Sequence, residues 1–274
     1  MIDAHLHFWK YDPLAHDWIG DEMAVIRQDF LPEQLSEVFK AQGISGGVAV
    51  QVEQSEKETD FLLKLSEQST LIKGVVGWID LQSPLLAERL EFYSQYDILK
   101  GFRHILQAET QRDLCLQPDF LKGITLLAQF GFTYDILVFA DQLKYIPEFA
   151  ARFPNQRFVL DHIAKPMIKT AEIRSWKKDI EKVALLGNVS CKVSGMVTEA
   201  DLENWKPADF TPYLDVVTQA FGIKRLMYGS DWPVCLAAGN YSAVLELVKN
   251  YYSTFSAAEQ DLFFSQNATD FYQL

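Results

Sequence analysis

The chain has 274 residues, 49% of them hydrophobic and 23% charged, with 25 Lys and Arg against 37 Asp and Glu for a net charge of −12. This length suits one α/β barrel domain and supplies ample apolar material for its core. No apolar run approaches the roughly 20 residues that cross a bilayer, and the negative balance opposes nucleic acid or an anionic membrane as a partner.

Taken in chain order, the sequence alternates apolar strand-like runs with amphipathic stretches. The strands predicted are Ile2–Phe8, Gly47–Val52, Gly74–Leu81, Lys100–Leu106, Phe132–Val138, Arg157–His162, Val189–Val193 and Arg225–Tyr228. Several are continuously apolar, as parallel strands buried on both faces must be. Helical spacing of apolar residues marks Pro32–Gln42, Glu56–Gln68, Asp119–Gly131, Gln142–Phe153, Glu172–Leu186 and Pro212–Gly222, with Gly131, Gly187 and Gly222 at the positions expected of C-terminal caps. A further helix fits Pro84–Tyr96, and two more, Tyr241–Tyr252 and Ala257–Gln266, close the chain. Eight strands alternating with helices predict a single-domain (β/α)8 TIM barrel. The competing doubly wound sheet lacks a Gly-rich turn after its first strand.

The N-terminal segment has no basic-then-apolar layout of a secretory signal. Cys115, Cys191 and Cys235 have no CxxC spacing. Reduced thiols and a cytoplasmic location are expected.

Chemistry-bearing residues gather at the predicted strand ends, where barrel active sites lie. The first strand reads Asp3-x-His5-x-His7, and strand alternation places these three side chains on one face. The last strand runs into Gly229-Ser230-Asp231-Trp232-Pro233, which projects Asp231 into the mouth; its plain alternative is a helix N-cap. Phe158–Leu160 leads to Asp161 and His162, of which an extended strand turns only one to the mouth, and His162 is favoured. Lys165 follows in the turn to Pro166. Arg103 with His104, and Lys192, are cationic groups inside apolar strands, so each requires a carboxylate, a ligand oxygen or solvent. Trp9, Trp78, Tyr134 and Trp232 lie near strand ends, where aromatics stack on sugar-like rings or simply pack the rim.

The ordered set Asp3-Ala-His5-Leu-His7-Phe-Trp9, Gly101-Phe-Arg103-His104, Asp161-His162-Ile-Ala-Lys165-Pro166, Cys191-Lys192-Val-Ser-Gly195-Met and Tyr228-Gly-Ser-Asp231-Trp232-Pro233 resembles the amidohydrolase superfamily. It is most similar to the amidohydrolase 2 branch of TIM-barrel hydrolases, which includes sugar-acid lactonases, and the likeness spans nearly the whole chain. The resemblance implies metal-ligand positions at His5, His7, His162 and Asp231, with Asp231 as general base on water. Lys192 stands where a second histidine would be expected after His162, which leaves one divalent ion, zinc or manganese, or none, as is known for lactone hydrolases of this branch.

These readings converge on a lactonase opening a sugar-derived lactone: Asp231 activates water, His162 and Arg103 stabilise the oxyanion, and Trp9, His104, Lys165, Lys192 and Trp232 contact substrate. No GxSxG nucleophile turn and no phosphate loop occur. The alternatives are a metal-dependent decarboxylase of an aromatic acid and a non-catalytic barrel that binds sugar acids. The partner expected is the small-molecule lactone, and a homodimer is compatible with this class although no patch in the sequence decides it.

Overall fold

The computed structural model describes all 274 residues. Eight strands run parallel in sequence order: β1 (Ile2–Leu6), β2 (Gly46–Val50), β3 (Ile72–Gly77), β4 (Leu99–His104), β5 (Thr133–Ile136), β6 (Phe158–Leu160), β7 (Val189–Val193) and β8 (Leu226–Tyr228). Each pairs with the next, as helical crossovers between parallel neighbours dictate. The ring closes at its upper rim, where His7 N donates to Trp232 O at 2.6 Å and Asp231 N to His5 O at 2.9 Å. All eight predicted strands are present, and the architecture is a single-domain TIM barrel. No helix is long and apolar enough to cross a membrane.

The outer ring comprises α1 (Pro32–Gln42), α2 (Glu56–Gln68), α3 (Leu86–Tyr93), α4 (Pro118–Gln129), α5 (Ile146–Ala151), α6 (Arg174–Ala184), α7 (Pro207–Phe221) and α8 (Tyr241–Tyr252), followed by α9 (Ala257–Asp261) and α10 (Asn267–Tyr272). The stretch Gln142–Phe153 holds a 3-10 turn before α5. Helix α7 begins five residues before the expected Pro212, because Pro207 takes the first helical position and Pro212 lies inside. Gly131 and Gly222 adopt positive φ at helix ends as expected, whereas Gly187 does not; Gly43, at φ 69, is the left-handed cap of α1. The final helix does not stop at Gln266 but continues through a π turn into α10.

That continuation closes the barrel floor. Ala268 and Tyr272 of α10 pack with Ile2, Ala4, Val48, Val50, Val76, Val159 and Met227, the apolar layer inside the strands. Above this floor the interior turns polar.

Beside the barrel, Ser55 caps α2 by accepting from Glu58 N, and the Glu58 carboxylate accepts from Val52 N at 3.1 Å. Burial pushes the Glu58 carboxyl up to about 7. An acid with a raised folded pKa stabilises the fold below its unfolded value and loses that contribution as pH climbs through the folded one. Glu58→Gln keeps the acceptor and removes the titration. Between pH 5 and pH 8 the wild type should therefore lose about 2–3 kcal/mol relative to this variant, read by urea denaturation. Parallel pH profiles would contradict this assignment.

Candidate active site

His5 and His7 emerge from β1 at the upper rim, both nearly inaccessible to solvent. The expectation that Asp3 shares their face is overturned. The register with β2 slips between Asp3 and Leu6, and Asp3 turns outward, accepting from Tyr241 Oη of α8 at 2.9 Å, Ser230 N at 2.9 Å and His5 N at 3.1 Å. Asp3 is thus a clamp across the β1/β8 seam. It fixes the two segments that carry His5 and Asp231.

His7 Nδ1 lies 2.7 Å from Val50 O. A carbonyl only accepts, so Nδ1 carries a proton and Nε2 faces the mouth. His7 Nε2 sits 3.2 Å from His5 Nε2 and 3.2 Å from Asp231 Oδ1. Asp231 has φ 59 and caps nothing: the 3-10 turn after it, Val234–Ala237, has no side-chain cap. Burial opposes ionisation of Asp231, but His162, His7 and Lys165 outweigh it and hold the carboxyl below its ordinary value.

At the end of β6 the strand does not remain extended. His162, Ile163, Ala164 and Lys165 have φ of 52, 48, 58 and 46, a left-handed turn costing roughly 1–2 kcal/mol per residue. Tertiary bonds hold it, including Trp176 Nε1 to Ile163 O at 2.7 Å. This turn overrides strand alternation, so Asp161 and His162 both face inward, where only one was expected. His162 stacks edge-on to His5 with centroids 4.4 Å apart and shares a 2.9 Å hydrogen bond with Ser194 Oγ. Gly195, at φ 60, leaves the space: a Cβ there would lie 2.4 Å from His162 Nδ1.

Beneath the histidines runs a buried ionic ladder. Lys192 Nζ is 2.5 Å from Asp135 Oδ2, 3.0 Å from Asp161 Oδ1 and 3.1 Å from His5 Nδ1. Arg103 donates to Asp161 Oδ2 at 3.0 Å, to Gln51 Oε1 at 3.1 Å and to Gln51 O, and its other contact is His5 Nε2 at 3.3 Å. Burial favours protonation of Asp161, but the Lys192 and Arg103 charges and the His5 contact dominate and keep it well below the usual carboxylate range. Burial holds the His5 and His162 imidazoles well below the ordinary histidine value, hence neutral at pH 7. Asp135, also fully buried, is pushed up to about 6 by burial. Asp135 escaped the sequence reading, and Asp161 was set aside there in favour of His162. The signal was available, since cations inside apolar strands require anions in neighbouring ones.

The rim opens into a cavity of about 930 Å³, within the range of small-molecule sites. His7, Arg103, His162, Lys165 and Asp231 line it, and Lys165 pairs with Glu199 at 3.1 Å. Other expected substrate contacts do not reach it. Lys192 is sealed below. His104 faces outward, bonded to Glu109 at 2.7 Å and edge-on to Phe120 of α4. Trp9 and Trp232 pack on Phe30, Tyr134 packs outside the barrel on Phe149, and Trp78 is likewise not among the lining groups. The tryptophan that does line the cavity is Trp18, from the segment between β1 and α1, edge-on to Trp9.

A model of the amidohydrolase family matches residues 2–274. The chain belongs to the amidohydrolase family. It is 39% identical to the L-fucono-1,5-lactonase of Burkholderia multivorans, covering 100% of this chain and 96% of that protein. It is 32% identical to the L-fucono-1,5-lactonase of Burkholderia ambifaria, over 88% of this chain and 82% of that one. A solved amidohydrolase of Burkholderia multivorans with bound zinc superposes with a TM-score of 0.96 at 39% identity, covering 100% of this chain and 99% of the other.

The donor atoms of this amidohydrolase suit one divalent cation. His5, His162 and Asp231 offer ligand atoms within 4.8 Å of one another. Two nitrogens bound to one tetrahedral zinc lie about 3.3 Å apart, close to the 3.2 Å between His5 and His7 Nε2. The Val50 carbonyl on His7 Nδ1 is the kind of support that orients a ligating imidazole. The space between Asp135 and Asp161, by contrast, is filled by the Lys192 ammonium.

Proposed function

We propose that this amidohydrolase opens a sugar-derived lactone to its hydroxy acid by adding water across the acyl–oxygen bond. The observation that carries the reading is an ionised carboxylate, Asp231, facing three imidazoles at the foot of a cavity of sugar-lactone size. The two curated L-fucono-1,5-lactonases support the substrate class.

In this reading Asp231 takes a proton from water as its oxygen attacks the carbonyl. Neutral His162 and the Arg103 guanidinium stabilise the oxyanion, and Lys165 adds positive field from the cavity wall. The proton held by Asp231 then passes to the ring oxygen as the acyl–oxygen bond breaks, leaving a free hydroxyl and a carboxylic acid that releases its proton to solvent. His5, His7, His162 and Asp231 are the residues that would hold zinc or manganese, which when bound supplies Lewis-acid polarisation of the carbonyl. The three cysteines are buried free thiols, in keeping with a cytoplasmic enzyme.

Trp18 offers an apolar face for the ring and acts in binding, not chemistry. Trp18→Ala should raise KM about 3- to 10-fold with kcat nearly unchanged; an equal fall in kcat would place Trp18 in the chemical step instead.

The reading is tested with a pH-indicator panel of neutral aldonolactones, carboxylated lactones and hydroxybenzoic acids, each with and without chelator. Hydrolysis of a neutral aldonolactone is expected. Carbon dioxide release from an aromatic acid, with no lactone opened, would replace it with the decarboxylase.

A further inference from the structure

We infer that Tyr272, on the last turn of α10, is a positioning residue for the active site, acting through Asp135 and Lys192 on His5. The tyrosine rises from α10 through the barrel floor and is fully buried. Its hydroxyl donates to Asp135 Oδ2 at 2.7 Å, the oxygen that receives Lys192 Nζ at 2.5 Å. Asp135 Oδ1 has no partner, so Tyr272 and Lys192 alone hold this carboxylate. The Lys192 ammonium also lies 5.4 Å from the Tyr272 ring centroid. Its other neighbours are Asp161 and His5 Nδ1.

His5 makes the arrangement consequential. Lys192 Nζ and Asp161 Oδ1 both face its Nδ1, at 3.1 and 3.3 Å, and Arg103 faces its Nε2 at 3.3 Å. Both cations can only donate, and a neutral imidazole has one acceptor nitrogen. How the His5 ring is held therefore depends on where Lys192 rests, and Asp135 is one of the two anions that place it. Tyr272 fixes Asp135. The route runs from the chain terminus to a ring 4.4 Å from His162, with Nε2 3.9 Å from Asp231 Oδ1. A tyrosine needed only to plug the floor requires its ring and not its hydroxyl.

The test is Tyr272→Phe, which keeps the ring. Removing such a supporting bond should lower kcat roughly 10-fold with KM within about twofold. The His5 ring nitrogens should also shift in 15N-histidine NMR spectra. The controls cut the tail's other anchors: Arg157→Met removes the 2.6 Å bond to Phe271 O and Lys100→Met the 2.9 Å bond to Gln273 O. These should lower Tm while leaving kcat and the His5 signals unchanged. Asp135→Asn, which retains the Tyr272 partner but weakens the hold on Lys192, should reproduce the kinetic and NMR effects.

The kinetic arm rests on the lactonase reading; the NMR arm does not. A wild type that opens no lactone defeats that reading, and the His5 signals still decide this one. Unchanged His5 nitrogens in Tyr272→Phe, or an equal kcat loss in Arg157→Met, would overturn the positioning role.

Discussion

Replacing Asp231 with asparagine is expected to lower kcat about 100-fold or more, with KM little changed, because it removes the base and keeps the shape. The substitution is a clean probe. Asp231 sits at φ 59, a conformation asparagine adopts readily, and an amide still occupies the position 3.2 Å from His7 Nε2. Tm should therefore stay near that of the wild type. A variant retaining near-normal kcat would remove Asp231 from the chemistry and leave the surrounding histidines without a base to serve.

The second large effect falls on stability. Lys192→Met should destabilise the fold by about 3–5 kcal/mol, since it leaves Asp135 and Asp161 buried without their shared cation. A mere loss of packing predicts far less, as methionine fills a similar volume. The double change Lys192→Met with Asp135→Leu removes the orphaned carboxylate as well. It should recover much of the loss, because a buried ion pair replaced by apolar groups of similar volume is often neutral. Urea denaturation of the double variant and both single variants checks this. A double variant as unstable as the sum of its parts would mean that packing, not desolvated charge, sets the cost.

The barrel was legible because its strands are apolar runs that little else in the chain imitates, and because cationic residues inside such runs are conspicuous. His5, His7, His162, Arg103 and Asp231 come together as the pattern required. What was not legible depended on backbone detail. Ile163 is β-branched and the wrong residue for a left-handed turn by local rules, yet that turn brings Asp161 and His162 to the same side. The slip between Asp3 and Leu6 takes Asp3 off the face of His5 and His7 and makes it a seam clamp. Alternation points His104 away from Arg103, so its outward position was open to prediction. Trp18 could not be distinguished from Trp9 or Trp232 without the path of the segment between β1 and α1. Tyr272 meets Asp135 across 137 positions, a contact that no local pattern encodes.

The most direct test of Asp231-activated water is a single turnover with excess enzyme in 18O-water, using L-fucono-1,5-lactone. The account predicts opening far faster than in buffer alone, with one 18O in the new carboxylate from the first turnover. An unlabelled first-turnover product would make an enzyme carboxylate the nucleophile, and no acceleration over buffer would contradict hydrolysis of this lactone altogether.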